Sequence, residues 1–424
     1  MKVDYLVLGA GISGLACAHE RAKEGKNAVV FEAENYYGGL CHSFNINGFT
    51  FDSAVHLSFT KNNEAREFFD KTPCISHLPI SYNYYNGLWL KHPLINNMSD
   101  MSALEKTRFL KSLIEKKEYR VIANYGEWLK ASYGDLIAEK FYYIYTKKYW
   151  TVRPEDMSTS WIGSRLNTPD LEKILYGSFD KNTEIDYYAK EMRYPFVASG
   201  RGGYVTFLKP LLKGIKVIYN KKAIHIDLNL KRVYFSDNTS CHYEHLVSSI
   251  PLPELVNICG YIPDYIQKNA SKLKASKISI VSVGFNKSNI AKYLWFYIYD
   301  DDILAARVNS PSIKSTKNAP EGSSSMQFEV YHYHDDIVDK QKIIENVRYS
   351  LNKMKICQPE DIIFIDYKLL PFGNVIFLKE MEIHRNIVRN YLLNKGVTLI
   401  GRFGKWEYLW SDESYLSGKN ILCP

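Results

Sequence analysis

The stretch Tyr5-Leu-Val-Leu-Gly-Ala-Gly-Ile-Ser-Gly14 is a short apolar strand that runs directly into a glycine-rich turn. A helical stretch follows to about Gly25, and a second apolar strand, Ala28–Phe31, ends at Glu32. A strand, a glycine turn, a helix and a second strand in this order are typical of a dinucleotide-binding βαβ unit. The sequence therefore predicts an α/β fold with a Rossmann-like, doubly wound parallel sheet.

Each glycine of this turn has a mechanical role in such a site. Gly9 allows the tight turn, Gly11 lets the backbone approach a pyrophosphate, and Gly14 permits close packing of helix on strand. The pyrophosphate rests on the N–H groups and partial positive charge of the helix N-terminus, near Ile12 and Ser13. We predict that these five residues bind the cofactor, with a coincidental glycine-rich turn as the alternative.

The acid at the end of the second strand indicates which nucleotide is bound. The Glu32 carboxylate lies where it can accept hydrogen bonds from the ribose hydroxyls of an adenosine. A carboxylate in this position disfavours a 2′-phosphate. The sequence therefore argues against NADP at this site.

A second glycine pair, Gly38-Gly39, follows and leads through Leu40 to residues 52–56. This spacing resembles the FAD-dependent amine oxidase and protoporphyrinogen oxidase superfamily, to which UDP-galactopyranose mutase is also related. The resemblance implies FAD as the cofactor and contacts from Gly38, Gly39 and Leu40. It also implies that residues 52–56 run beside the isoalloxazine ring, which makes His56 a candidate catalytic residue. An ordinary turn leading into a hairpin is the alternative.

Later segments resemble further parts of the same cofactor domain. Residues 199–204 match a glycine turn that faces the active site in the family, which implicates Gly203 and Tyr204 in substrate binding. The backbone at Ala223 and Ile224 matches the position that contacts adenine. Residues 245–251 resemble the strand with a terminal proline that closes the domain.

The C-terminal stretch Val397-Thr-Leu-Ile-Gly-Arg-Phe-Gly404 begins as a buried strand and breaks at glycine before an aromatic-rich helix. In the related flavoenzymes this junction lies near the flavin, which implicates Gly401 and Arg402 in cofactor binding. Many amine oxidases carry an acid after the glycine, whereas the pattern Gly-Arg-x-Gly-x-x-x-Tyr-Leu resembles UDP-galactopyranose mutase. Arg402 and Tyr408 are candidate catalytic residues and Trp406 a candidate substrate contact. A solvated surface charge is the alternative for Arg402.

The middle of the chain resembles the passage where these enzymes bind substrate. Tyr149 and Trp150 end a Tyr- and Lys-rich stretch, and Arg165 follows. Aromatic faces can stack on a base or a sugar, and arginine binds diphosphate bidentately. All three are candidate substrate contacts, and Arg165 is also a candidate catalytic residue. The alternative is that the aromatic side chains fill the core and the arginine is solvated.

Patterns along the chain predict two interleaved domains. Helical periodicity dominates residues 101–149, and short apolar runs dominate residues 215–250. Residues 310–325, rich in Ser, Lys, Pro and Gly, are predicted to form a surface loop. We predict a discontinuous FAD-binding domain and a mixed α+β substrate domain that combines a helical insertion with a sheet. The first comprises residues 1–60, 200–252 and 386–424, and the second residues 61–199 and 253–385.

The composition is that of a globular protein, with 46% hydrophobic and 24% charged residues among 424. No apolar run is long enough to span a membrane, and the start of the chain lacks a secretory signal, so we expect a cytoplasmic protein. Seven cysteines without a CxxC pair indicate neither a disulfide frame nor a metal site. We interpret the net charge of +8 as an even surplus of lysine without nucleic-acid binding, while peripheral contact with an anionic membrane stays open.

The sequence contains no Ser-His-Asp order, metal-ligand cluster or partnered carboxylates, which fits an enzyme whose cofactor carries the chemistry. We predict an FAD-dependent oxidoreductase of the amine oxidase superfamily acting on a polar small molecule. A nucleotide-activated sugar of surface polysaccharide biosynthesis is the favoured substrate. The first alternative is a non-redox UDP-sugar pyranose/furanose mutase that uses reduced FAD. A non-catalytic flavin-binding scaffold is the second alternative.

Overall fold

The computed structural model describes residues 1–163, 165–166, 169–184, 189–198 and 202–421. Their strands form two large sheets and two small two-stranded sheets. In chain order the strands are β1 (Lys2–Leu8), β2 (Ala28–Phe31), β3 (Ser43–Ile46), β4 (Phe49–Asp52), β5 (Cys74–His77), β6 (Tyr82–Tyr85), β7 (Leu88–Lys91), β8 (Met192–Pro195), β9 (Lys216–Ile218), β10 (Ala223–Asp227), β11 (Arg232–Phe235), β12 (Ser240–Ser248), β13 (Lys277–Phe285), β14 (Trp295–Ile298), β15 (Arg307–Asn309), β16 (Ser324–His332), β17 (Ile362–Leu370) and β18 (Val397–Leu399).

Helices cover the faces and ends of the sheets. The α-helices are α1 (Ile12–Lys23), α2 (Asn63–Phe69), α3 (Ala103–Ile114), α4 (Tyr125–Tyr133), α5 (Asp135–Ile137), α6 (Ile144–Trp150), α7 (Leu171–Phe179), α8 (Leu252–Ile258), α9 (Asp264–Ala270), α10 (Pro311–Lys314), α11 (Lys340–Lys353), α12 (Met381–Asn394), α13 (Gly401–Gly404) and α14 (Ser411–Lys419). A π-helical segment, Ala138–Tyr143, joins α5 to α6. The 3₁₀ segments are Gly39–Cys41, Leu94–Asn96, Pro154–Asp156, Tyr204–Leu212, Thr316–Asn318 and Pro359–Asp361.

The first large sheet confirms the predicted Rossmann-like fold. Its parallel part has the order β9, β2, β1, β12 and β18, and β10 and β11 extend it as an antiparallel ribbon beside the start of β12. Strand β2 is buried along its whole length, as expected when helices cover both faces of a parallel sheet. The strands come from residues 2–31, 216–248 and 397–399, so the sheet is assembled from separated segments. The domain boundaries themselves stay predictions.

The second large sheet is mainly antiparallel, with the order β17, β13, β16, β15, β14, β6 and β7. Strands β14 and β6 form its parallel pair. Helices α3 to α6 pack beside it as the helical insertion, with Phe109, Leu129 and Phe141 buried in the largest core cluster. The mixed character expected of the second domain is therefore present in the structure.

The prediction that residues 310–325 form a surface loop was wrong. The segment contains α10 and the 3₁₀ turn Thr316–Asn318, and it enters β16 at Ser324. The side chain of Lys314 is 0% exposed. The segment lies against β4 because Lys314 pairs with Asp52, a contact that local composition does not encode. Within the described residues, no helix is long and apolar enough to cross a membrane.

Candidate functional site

The carboxyl ends of the parallel strands surround a cavity of about 370 Å³, which we call the dinucleotide crevice. Loops after β1, β2, β12 and β18 contribute to its wall, as expected for ligand sites in open α/β sheets. Its lining includes the predicted residues Gly9, Gly11, Ile12, Ser13, Glu32, Gly38, Gly39, Leu40, His56, Tyr149, Gly401, Arg402 and Tyr408.

Backbone shape opens this crevice at the first turn. Gly9 has φ +95°, and a Cβ atom at Gly14 would lie 2.0 Å from the carbonyl oxygen of Gly9. A Cβ at Gly11 would instead meet nothing within 4 Å, although Gly11 lines the crevice. Gly14 therefore serves packing, and Gly11 leaves space for a ligand at the start of α1.

Glu32 lines the crevice and is held by the backbone on both sides. Its Oε2 accepts a hydrogen bond from Ala10 N at 2.6 Å, and its Oε1 accepts one from Glu34 N at 2.9 Å. Burial raises the pKa of Glu32, and these backbone hydrogen bonds oppose that change. The carboxylate is thus oriented before any ligand binds, and its remaining lone pairs can accept ribose hydroxyls.

Arg402 and Asn374 carry buried donors without partners in the crevice wall. Arg402 Nη2 donates to Asn374 Oδ1 at 2.6 Å, whereas Arg402 Nε and Asn374 Nδ2 have no hydrogen-bond partner among the residues that the structure describes. An unsatisfied buried donor costs about 1–3 kcal/mol. Two such donors in one crevice wall fit a ligand that presents hydrogen-bond acceptors.

His56 lies in the wall with a defined tautomer. Its Nδ1 lies 2.9 Å from Ala54 O, and because a carbonyl can only accept, Nδ1 carries the proton. Burial lowers the pKa of His56 to about 4. The imidazole is therefore neutral near pH 7 and keeps Nε2 as an acceptor.

One buried carboxylate connects this wall to the second sheet. Glu329, which is 0% exposed, accepts a hydrogen bond from Val55 N at 2.9 Å through Oε1. Its Oε2 accepts hydrogen bonds from Arg307 Nε at 2.7 Å and from Tyr331 OH at 2.9 Å. Arg307 and Tyr331 both line the crevice. Glu329 therefore holds these two side chains and the backbone at Val55, next to His56, in fixed relative positions.

A second cavity of about 510 Å³, which we call the aromatic cavity, lies beside the helical insertion. Tyrosine and tryptophan side chains dominate its wall, and Trp161 Nε1 is buried with no partner in the described part of the chain. The lining includes His92, Tyr125, Tyr133, Tyr142, Tyr145, Tyr149, Trp150, Trp161, Arg165, Lys173, Tyr297, Tyr299, Arg307, Tyr408 and Trp410. Flat aromatic faces with polar edges suit a ligand that has a planar ring and several hydroxyls.

The crevice and the aromatic cavity share Tyr149, Arg307, Tyr408 and Trp410, which we call the junction. The hydroxyls of Tyr149 and Tyr408 lie 3.3 Å apart. Burial raises the pKa of Tyr408 well above its ordinary value, so its hydroxyl stays protonated. The junction thus places hydroxyl donors where the two cavities meet.

Two arginines flank the Tyr408 ring. The Cζ atoms of Arg165 and Arg402 each lie 4.7 Å from its centroid. Arg165 also stacks on Trp410 at 4.4 Å, donates to Tyr408 O and pairs with Glu413 at 3.2 Å. Stacking holds the guanidinium planes in place while leaving N–H groups free for an anion.

Several predicted contacts lie away from both cavities. Trp406 is 0% exposed and belongs to the core, so its position does not support a substrate contact. Tyr204 is also 0% exposed, and its ring packs 4.9 Å from that of His56. Gly203 packs tightly on Ser43 and Asp52 behind the wall. A Cβ atom at Gly203 would lie 2.2 Å from Ser43 Oγ, so no side chain fits there.

Ala223 and Ile224 also line neither cavity. They lie at the start of β10 in the antiparallel ribbon, and the Ile224 side chain is 48% exposed. Their predicted adenine contact is not supported by the cavity's extent. Residues 199–201 of the predicted glycine turn lie outside the described residues.

Sequence reasoning missed Arg307, Glu329 and Tyr331. Arg307 lies in the three-residue strand β15, and Glu329 and Tyr331 are on β16. The available signal was the alternation Gln327-Phe-Glu329-Val-Tyr331, which puts three polar groups on one face of a strand. Only the pairing of Arg307 with Glu329 across β15 and β16 makes that face a site.

The fold and the crevice together define a protein with a Rossmann-like dinucleotide-binding domain. The family described as NAD(P)-binding Rossmann-like domain matches residues 7–72. A crystal structure of reduced UDP-galactopyranose mutase superimposes with a TM-score of 0.91 and 24% identity, covering 98% of this chain and 94% of the other. A putative protoporphyrinogen oxidase from Exiguobacterium sp. 255-15 superimposes with a TM-score of 0.74 and 15% identity, covering 98% and 97%. The chain therefore shares the fold of UDP-galactopyranose mutase and of the putative protoporphyrinogen oxidase.

Sequence relatives match over short stretches. The all-trans-retinol 13,14-reductase of Rattus norvegicus is 47% identical over 55 residues, which is 13% of this chain and 9% of the reductase. The UDP-galactopyranose mutase of Mycoplasma pneumoniae is 36% identical over 70 residues, 16% of this chain and 18% of the mutase. These matches therefore cover less than a fifth of each relative.

Proposed function

We propose that the chain is an FAD-dependent enzyme that isomerises a nucleoside-diphosphate sugar without net redox, as a UDP-sugar pyranose/furanose mutase does. The observation that carries the proposal is the junction, where Arg165 and Arg402 flank Tyr408 and Arg307 lines both cavities. Three guanidinium groups around one opening suit a diphosphate, which accepts bidentate hydrogen bonds. The aromatic cavity on one side suits the base and ribose.

FAD is the cofactor that the crevice fits best. Open space at Gly11 admits a pyrophosphate, and Glu32 is oriented for a ribose. The unpaired donors of Arg402 and Asn374 match the carbonyl and nitrogen acceptors of a flavin pyrimidine ring. When bound, reduced FAD supplies an electron-rich ring nitrogen that can act as a nucleophile.

The residues of this chain then bind and orient the sugar nucleotide. The arginines hold the phosphates and stabilise the negative charge that a departing diphosphate develops. The protonated hydroxyl of Tyr408, with the Tyr149 hydroxyl 3.3 Å away, can donate to a phosphate oxygen. Neutral His56 presents an acceptor at Nε2 in the crevice wall, where it can accept a hydrogen bond from a sugar hydroxyl.

The similarity to the reduced mutase supports isomerisation over oxidation. That structure matches this chain at a TM-score of 0.91, against 0.74 for the putative protoporphyrinogen oxidase. The polar, hydroxyl-rich aromatic cavity also differs from the apolar pocket that a porphyrinogen would need.

The test uses purified protein loaded with FAD. Dithionite-reduced enzyme should interconvert UDP-galactopyranose and its furanose form under anaerobic conditions without consuming electrons, as followed by chromatography. Arg402→Met should slow this conversion about a hundredfold, and the exposed Arg232→Met should leave it unchanged. Failure of the reduced enzyme to convert any tested UDP-sugar would contradict the mutase proposal.

An FAD-dependent oxidoreductase acting on a polar metabolite is the second candidate, because the fold is shared with the putative protoporphyrinogen oxidase. Anaerobic addition of its substrate would bleach oxidised flavin. A scaffold would bind flavin and do neither. A role in surface polysaccharide biosynthesis and a cytoplasmic location stay predictions, and neighbouring glycosyltransferase genes would support the former.

A further inference from the structure

A buried ion pair lies behind the crevice wall. Lys314 Nζ and Asp52 Oδ2 are 3.3 Å apart, and both side chains are 0% exposed. Transfer of two charges out of water costs several kcal/mol per ion, so a buried pair is a weak source of stability. Such a pair is therefore better explained by its effect on the local electrostatic potential than by a contribution to stability.

Asp52 does not need the lysine to satisfy its hydrogen bonds. Its Oδ1 accepts from Ser43 Oγ at 2.7 Å and from Tyr204 N at 2.9 Å, and its Oδ2 accepts from Tyr194 OH at 2.9 Å. These donors are neutral. Burial lowers the pKa of Lys314, and the Asp52 carboxylate opposes that change. What a charged Lys314 adds is the positive charge that cancels the charge of the carboxylate.

The pair lies at the base of the segment that lines the crevice. Asp52 ends β4, and Ala54, Val55 and His56 line the crevice directly afterwards. Burial is the largest influence on the pKa of His56, which it lowers, while Asp52 raises that pKa and Lys314 lowers it. Both charges therefore act on the crevice wall, with opposite signs.

We propose that Lys314 is a positioning residue for the bound flavin. By pairing with Asp52, it keeps the net charge behind residues 54–56 at zero. The inference rests on the proposed FAD site. Two-electron reduction of a flavin with uptake of one proton leaves one negative charge on the ring system. An uncompensated Asp52 carboxylate would repel that charge and disfavour the reduced state.

The experiment compares Lys314→Met, Asp52→Asn and the double variant by anaerobic redox titration of the flavin-loaded protein. A unit charge about 10 Å away at an effective dielectric of about 20 changes an equilibrium roughly tenfold. Lys314→Met should lower the ratio of reduced to oxidised flavin about tenfold at a given potential, or about 30 mV for a two-electron couple. Asp52→Asn should raise the ratio, and the double variant should return it to within about threefold of wild type.

The direction of these shifts in the flavin ratio distinguishes an effect of charge from an effect of altered structure. A merely structural role would move both single variants in the same direction and leave the double variant the most affected. A matched control is the ion pair of Lys287 and Asp361, 2.6 Å apart with the lysine side chain 59% exposed. Lys287→Met and Asp361→Asn should leave the flavin potential unchanged.

Asp52→Asn keeps the size of the side chain and decides the question if Lys314→Met does not fold. An upward shift in that variant supports the inference, and no shift or a downward shift overturns it. Wild-type protein that binds no FAD would instead overturn the proposed cofactor. If the protein binds FAD but the flavin potential is the same in all three variants as in the wild type, the inference about Lys314 is overturned and the proposed cofactor is not.

Discussion

The dinucleotide crevice and the aromatic cavity share the junction, but the first is shaped mainly by backbone and the second mainly by side chains. The crevice is shaped by backbone at the ends of parallel strands, with glycines where a side chain would intrude. The aromatic cavity is shaped by side chains from α4, α6, β14, β15 and the loops around them. Its wall depends on how these elements pack, and no local motif encodes it.

This difference has a physical consequence for substitutions. A change at a glycine of the first turn acts through backbone geometry, so its effect depends on whether the added Cβ would meet another backbone atom. A change in the aromatic cavity removes one contact among many, because its rings pack on one another, as Tyr133 and Tyr142 do at 4.1 Å. Single substitutions in the aromatic cavity should therefore have graded effects.

Gly14→Ala should have the largest effect. Its Cβ would lie 2.0 Å from Gly9 O, a backbone atom that can move only if α1 shifts away from β1. We expect a loss of at least about 3 kcal/mol in the free energy of unfolding, measured by urea denaturation. Gly25→Ala, at a position with no atom within 4 Å but with φ +76°, is the matched control and should cost only about 1 kcal/mol. Equal losses in both variants would refute the packing role.

Arg402→Met should reduce turnover about a hundredfold, the typical cost of removing one donor from a stabilised charge. The effect is measured as kcat with the sugar nucleotide, and thermal stability should change little. Tyr145→Phe removes a hydroxyl from a residue that lines the aromatic cavity but not the crevice, and should reduce kcat/KM less than tenfold. The contrast would fail if the tyrosine variant lost as much activity as the arginine variant.

Acidification should reveal one histidine in each cavity. Burial lowers the pKa of both His56 and His92 to about 4, below the ordinary value of 6.5. Between pH 6.5 and pH 4 each histidine is protonated in the unfolded chain but neutral in the folded protein. The free energy of unfolding is therefore unaffected by these histidines above pH 6.5 and decreases as the pH falls towards 4. Each histidine should account for about 2 kcal/mol between pH 7 and pH 5.

The measurement for this prediction is the pH slope of the free energy of unfolding. His56→Asn and His92→Asn should each flatten the slope below pH 6.5. His225→Asn, an exposed site, serves as the control and should leave the slope unchanged. An unaltered slope in both buried variants would mean that neither histidine is held neutral.

Gly11→Ala should have the smallest effect on the fold and a selective effect on the cofactor. Its Cβ would meet no protein atom within 4 Å but would project where the ligand approaches. We expect unchanged thermal stability of the apoprotein and a weakening of FAD binding of about tenfold, or ~1.4 kcal/mol. Retention of FAD at the wild-type level would place the pyrophosphate elsewhere.

The crevice was largely predictable because its determinants are local. Gly9, Gly11 and Glu32 lie within one βαβ unit, where positive φ, close approach and a terminal acid all follow from neighbouring residues. The turn at Gly401 and Arg402 was found through its resemblance to related flavoenzymes, and both residues line the crevice.

The sequence by itself determined the Rossmann-like unit, the separated segments of its sheet and the glycine turns and terminal acid of the crevice wall. Tertiary structure decided that Trp406 is core, that Arg307 and Glu329 form part of the site, and that Lys314 is buried beside Asp52. These contacts join residues far apart in the chain through strand pairing and ion pairing. Their energy depends on burial that only the assembled sheets create, so no local pattern carries it.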